Sequence, residues 1–200
     1  FLIFNFSMSD FWLFFVLGKD HIADLRGYDH ILFIIALCAR YVPADWKKVL
    51  VLVTAFTVGH SLTLAASALN LIDAPTKWIE FLIPVTIILT AIANLFEKKF
   101  EFRTRFPAIY FMALFFGLIH GLGFSTYLKS LMGKDSNIIT ELLAFNLGLE
   151  AGQVLIVAAI MIVSLTCTRF FNINRRAYLL IVSGIVAVMA LIMAIQRVPF

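Results

Sequence analysis

Residues 177–196 read AYLLIVSGIVAVMALIMAIQ, a run without a single charge, closed by Arg175 and Arg176 on one side and by Arg197 on the other. At about 1.5 Å per residue such a run reaches across a hydrocarbon core about 30 Å thick, and a helix satisfies its backbone polar groups there. Stretches of the same kind precede it at 28–44, 48–69, 77–96, 107–128 and 138–166. Short breaks separate them: Pro43 and Asp45, Asp73 and Pro75, a charged run from Glu97 to Arg105 before Pro107, Gly133 to Asn137, and Asn172 to Arg176. A chain that is 62% hydrophobic and 14% charged, with a mean hydropathy of +0.98, lies outside the range of water-soluble domains. The expected fold is therefore all-α: a polytopic membrane helix bundle of about six transmembrane helices over residues 28–200, with no span-length repeat and no linker to a second domain.

Residues 1–27 read differently. Phe1–Ser7 is apolar but short, and it lacks the basic leading region and small-residue cleavage site of a signal peptide. Phe11, Trp12, Phe14, Phe15 and Leu17 predict a short helix lying at the membrane interface, with a seventh crossing as the alternative. Basic residues set the orientation. Arg40, Lys47, Lys48, Lys98, Lys99, Arg103, Arg105, Arg169, Arg175 and Arg176 fall on one side of a six-span bundle, against Lys19, Arg26, Lys77, Lys129, Lys134 and Arg197 on the other. The richer side is expected in the cytoplasm, which puts both termini on the periplasmic side of a bacterial inner membrane. The net charge of +4 then reflects topology, and no basic surface interleaved with aromatics suggests nucleic acid. Cys38 and Cys167 read as packing residues on separate spans, a soft-metal site being the minority alternative.

Ionisable groups inside the spans carry the chemistry, because a charge there is costly and faces the bundle interior. All four histidines, His21, His30, His60 and His120, lie in or beside apolar spans. By residue count His60, His120 and Glu150 reach mid-membrane, while Asp29 and His30 open the first span and Glu80 the third from the outer side. Together they describe a funnel from the outer face. Imidazoles with carboxylates suit nickel, cobalt or zinc, whereas calcium or magnesium would take an all-oxygen cage. Glycines around His60, His120 and Glu150 let helices approach closely enough for ligands on separate helices to meet. Each residue also has a structural reading: an intramembrane His as an interhelical hydrogen-bonding group, Glu150 with Gln153 as a polar clamp, Glu80 as a solvated edge residue, Asp29 as a helix N-terminal carboxylate.

Five ordered segments resemble the HupE/UreJ family of bacterial membrane proteins: His21-Ile-Ala-Asp-Leu-Arg-Gly27-Tyr-Asp29-His30, Thr54-Ala-Phe-Thr-Val-Gly59-His60-Ser61, Trp78-Ile-Glu80, Phe116-Gly-Leu-Ile-His120-Gly-Leu-Gly123-Phe124 and Phe145-Asn146-Leu-Gly148-Leu-Glu150-Ala-Gly152-Gln153. The resemblance implies an accessory role in hydrogenase or urease systems and nickel or cobalt permeation, with Asp29 and His30 handling metal. Ile22 stands where hydrogenase-linked members usually carry Pro, so the resemblance does not fix nickel as the metal. The expected function is a divalent-metal permease with His30, His60, His120, Asp29, Glu150 and His21 as ligands and Asn146, Gln153, Glu80 and Ser61 as a polar shell. No nucleotide-binding loop is present, so movement would be passive, gradient-coupled or partner-driven. Two alternatives belong to other classes. One is an intramembrane zinc-dependent hydrolase with Glu150 or Asp29 as base and Ser61 positioning a carbonyl. The other is a structural or assembly protein without metal. The expected partners are the lipid bilayer and a metal ion, with a homo-oligomer or metallocentre-assembly proteins left open.

Overall fold

The computed structural model describes residues 8–97, 108–131 and 138–199, and among these it is helical with no strand. The helices are α1 (Met8–Ile22), α2 (Asp29–Cys38), α3 (Trp46–Ala68), α4 (Thr76–Phe96), α5 (Ala108–Leu131), α6 (Ile138–Leu165) and α7 (Arg175–Gln196). A 3-10 turn at Pro43–Asp45 leads into α3, and a π turn at Thr166–Phe170 continues α6. Helices α3 to α7 are each long and apolar enough to cross a membrane, which makes the protein a helical membrane bundle. Their ends follow local chemistry. Asn70 and Asn172 take left-handed backbone (φ 56° and 49°) where α3 and the π turn stop. The Asn174 side chain accepts the Arg176 amide at 2.8 Å and caps α7.

The bundle has two distinct ends. At one, the start of α4 (Glu80) and the ends of α5 (Tyr127) and α7 (Arg197) surround a cavity; this is the pocket end. At the far end, Arg175 donates to the Arg40 carbonyl at 2.6 Å and Arg176 to the carbonyls of Leu95 (2.6 Å) and Glu97. An Arg40–Glu97 ion pair closes the same corner. These contacts answer the orphan carbonyls at the helix C-termini. Asn94 adds a bond to the Ala36 carbonyl at 2.7 Å, fixing α2 beside α4.

The first expected span is where the structure differs from the sequence reading. In place of one helix over 28–44, α2 holds 10 residues, about 15 Å, which is too short to cross alone. The short N-terminal helix is present as α1. Its Phe14, Gly18 and Ile22 are buried, and it runs parallel to α6, with Phe15 against Gly148 and both Lys19 and Ile22 against Gly152. Helices α1 and α2 are thus separated by a non-helical stretch at 23–28 whose Asp24 and Gly27 line the cavity. Irregular backbone inside a membrane bundle is tolerated where it borders a wet cavity.

Two helix pairs use one packing scheme. In α3/α5, Gly59 faces the Leu114 carbonyl, Gly117 the Phe56 carbonyl and Gly121 the His60 carbonyl. In α1/α6, Gly18 faces the Phe145 carbonyl, Gly148 the Phe15 carbonyl and Gly152 the Lys19 carbonyl. Residue spacing is the same in both: Phe-x-x-Gly at 15–18 and at 56–59, Gly-Leu-x-x-Gly at 148–152 and at 117–121. A Cβ at any of these positions would overlap a neighbouring backbone or side-chain atom. Each glycine lowers helix propensity by about 1 kcal/mol relative to alanine, so close backbone contact is what sustains them in six mid-helix positions. Gly117→Val and Gly148→Val are therefore expected to abolish or strongly lower the thermal unfolding transition in detergent. Gly184→Ala, with nothing within 4 Å of an added Cβ, should be neutral or raise stability by about 0.5–1 kcal/mol; equal melting of all three would contradict the packing scheme.

Candidate metal centre

The four histidines converge from four helices. His21 ends α1, His30 is the second residue of α2, His60 lies mid-α3 and His120 mid-α5. Ring centroids are 4.6 Å apart for His21–His30, 5.8 Å for His21–His60, 6.0 Å for His30–His60 and 5.1 Å for His30–His120. One ligand atom each from His21, His30 and His60 lies within 4.8 Å of the others. Nitrogens bound tetrahedrally at about 2.1 Å stand about 3.4 Å apart, so small ring rotations suffice for His21, His30 and His60 to close on one ion, with His120 beside His30. Helix position explains the convergence. The glycine contacts bring α3 against α5 beside His60 and His120, and the break after α1 carries the chain directly from His21 to His30.

Hydrogen bonding fixes which nitrogen each ring presents. His120 Nδ1–H donates to the Phe116 carbonyl at 2.8 Å, leaving Nε2 with the lone pair. His30 Nδ1 stands 3.0 Å from the Asp29 carboxylate, which again makes Nε2 the ligand-capable atom and orients the ring. Asp29 is itself held: its Oδ1 accepts the His30 amide at 2.9 Å and its Oδ2 the Arg197 guanidinium at 3.1 Å. Yet His21 Nε2, His30 Nε2, His120 Nε2 and both nitrogens of His60 are buried with no protein hydrogen-bond partner. An unanswered buried polar group costs on the order of 1–3 kcal/mol, and a purely structural network would satisfy its own members. Phe33, Phe56, Phe124 and Phe145 pack around the rings, with Phe124 3.8 Å from His21 and Phe145 stacked 6.3 Å from His60.

Above the rings opens a cavity of about 650 Å³ that reaches His21, His30 and His120 and is rimmed by exposed Asp20, Asp24 and Glu80 with Arg197. Acidic residues at a mouth with low-dielectric walls raise the local concentration of cations. Of the residues expected to act together, His21, His30 and His60 come within ligand reach of one another, His120 stands beside His30, Asp29 braces His30 from behind, and Glu80 sits at the rim. Glu150 lies apart from this group: its carboxylate accepts the Thr54 hydroxyl at 2.8 Å. Gln153 pairs with Thr57 at 2.7 Å, and Ser61 donates to the Thr57 carbonyl at 2.7 Å. Cys38 is buried in α2 and Cys167 half-buried in the π turn; neither is disulfide-bonded. Sequence reasoning missed Arg197, read there only as a flanking charge, and Asp20 and Asp24; only their adjacency to His21 hinted at them.

Removing the brace should weaken ion binding without touching a ligand. Asp29→Asn is expected to lower affinity for Co²⁺ about 10–100-fold in calorimetric titration of detergent-purified protein, with Arg197→Gln giving a smaller loss in the same direction. Unchanged affinity in Asp29→Asn would show that the carboxylate does not orient a ligand.

No curated protein and no solved structure matches the chain. The model of the HupE / UreJ protein family does, over residues 2–197. The match runs through every helix that contributes a histidine, and on that ground the chain belongs to the HupE/UreJ family.

Proposed function

We propose that the protein is a membrane permease for a divalent transition-metal ion, taken up as cargo from the pocket end and held by His21, His30, His60 and His120. One observation carries the reading: His21, His30 and His60 bring one ligand atom each within 4.8 Å of the others, His120 stands beside His30, all four carry buried nitrogens without protein partners, and an acid-rimmed cavity opens onto His21, His30 and His120. Family membership supports it, since this family is associated with nickel and cobalt handling. An imidazole-rich set without thiolate suits nickel, cobalt or zinc over calcium or magnesium. The basic-residue distribution orients the pocket end toward the periplasm of a bacterial inner membrane, with the arginine-rich far end in the cytoplasm. That direction matches uptake.

The hydrolase reading would use the same histidines but needs a general base at the ion. Both carboxylates expected for that role are committed elsewhere, Asp29 to His30 and Arg197, and Glu150 to Thr54. A metal-free structural role leaves the unpartnered nitrogens unexplained. The break between α1 and α2 also favours transport, because secondary transporters place cargo where a discontinuous helix meets the bundle interior.

The test is ion flux into proteoliposomes carrying a metal-sensitive dye, with Ni²⁺, Co²⁺ and Zn²⁺ offered in turn. Saturable uptake of at least one of them is expected, falling about 10–100-fold in His60→Ala and in His120→Ala. An unaltered protein that binds an ion and moves none would overturn the reading.

A further inference from the structure

The cavity treats the four histidines unequally. Its wall includes His21, His30 and His120 but not His60, which is wholly buried. Ligand spacing divides them differently. His21, His30 and His60 each bring one ligand atom within 4.8 Å of the others, while His120 stands outside that triad, its ring 5.1 Å from His30. His120 still has the character of a ligand: its Nδ1–H is spent on the Phe116 carbonyl, and the buried Nε2 with its lone pair has no protein partner.

Water separates the two groupings. At about 30 Å³ per water, a cavity of about 650 Å³ has room for on the order of 20 waters, so a divalent ion reaches His120 and His30 with most of its hydration shell. The surroundings of His60 are aromatic, with the Phe56 ring at 6.1 Å and Phe145 at 6.3 Å. An ion entering the triad therefore exchanges water for nitrogen. Removing a divalent charge from water in one step is expensive, and replacing waters by imidazoles in stages spreads that cost. His30 belongs to both groupings and is oriented by Asp29, so it stays bound while the other ligands change.

We infer that His120 is the entry ligand of the site: with His30 it takes the hydrated ion from the cavity, and it gives way to His21 and His60 as the ion settles into the triad. This deepens the permease reading and rests on it. Ions that give up water reluctantly, Mg²⁺ above all, stop at the entry pair. A ligand that touches the ion only in passage lowers the barrier equally in both directions and leaves the equilibrium between free ion and triad unchanged.

Stopped-flow mixing of Co²⁺ with the detergent-purified full chain tests the order. Co²⁺ held by the three imidazoles of the triad and a water is four-coordinate and absorbs strongly in the visible, whereas the hydrated ion absorbs weakly. In the unaltered protein the strong band should appear at a rate that levels off with rising Co²⁺, as a unimolecular step after capture requires. His120→Ala should slow both binding and release to excess chelator by the same factor, about tenfold, with affinity and final spectrum unchanged. His60→Ala should capture Co²⁺ and never develop the strong band. Thermal unfolding checks that each variant is folded. A band whose rate rises linearly with Co²⁺ and never levels off would overturn the entry step, whether or not the variants fold. Unchanged rates in His120→Ala would overturn it too, as would affinity lost through faster release alone, which would make His120 a ligand or prop of the resting site. Stepwise Co²⁺ binding with no ion flux into proteoliposomes would instead strike the permease reading beneath it.

Discussion

Everything in this bundle is arranged around the cost of burying imidazoles with their lone pairs unanswered. Five ring nitrogens of four histidines sit in the interior without a protein partner, a burden of several kcal/mol on ordinary magnitudes. Holding them there demands rigid scaffolding. Glycine contacts draw α3 against α5 so that His60 and His120 share one level, and the Asp29–Arg197 pair fixes the orientation of His30 from the end of α7. An ion bound among them would answer at most one nitrogen of each ring, leaving the second nitrogen of His60.

The scaffold is built twice from one local rule. Helices α1/α6 and α3/α5 are parallel pairs with the same glycine spacing and the same backbone-to-backbone contacts, although the members of the first pair lie far apart in sequence. Each pair contributes histidines or polar residues to the interior, and the pairs meet through α3 and α6 at Thr57–Gln153. Close-packed pairs behave as units, whereas the polar seam between them consists of hydrogen bonds that can exchange partners.

Much of this was legible in sequence. The apolar runs placed α3 to α7 within a few residues of their observed ends, and counting residues from those ends put His60 and His120 at one depth. The length of α2 was not legible, because 28–44 is apolar throughout and periodicity alone does not show where a helix breaks inside a bundle. Pairing of α1 with α6 was hidden too: the glycines were visible, but their partners are set by tertiary contact. Glu150 shows the limit of depth as a guide. It lies near the histidines along the membrane normal yet points to Thr54, since depth fixes one coordinate and helix rotation the other. Arg197 was misread for a related reason, its long side chain reaching back from the end of α7 to Asp29.

The central claim is that the histidines hold one ion. It is tested most directly by metal content together with X-ray absorption on protein equilibrated with Ni²⁺, Co²⁺ or Zn²⁺ and then freed of excess. The account predicts about one ion per chain in a nitrogen-dominated shell at about 2.0–2.1 Å with imidazole outer-shell scattering. No retained ion for any of the three metals, or a shell of sulfur or of oxygen alone, would contradict it.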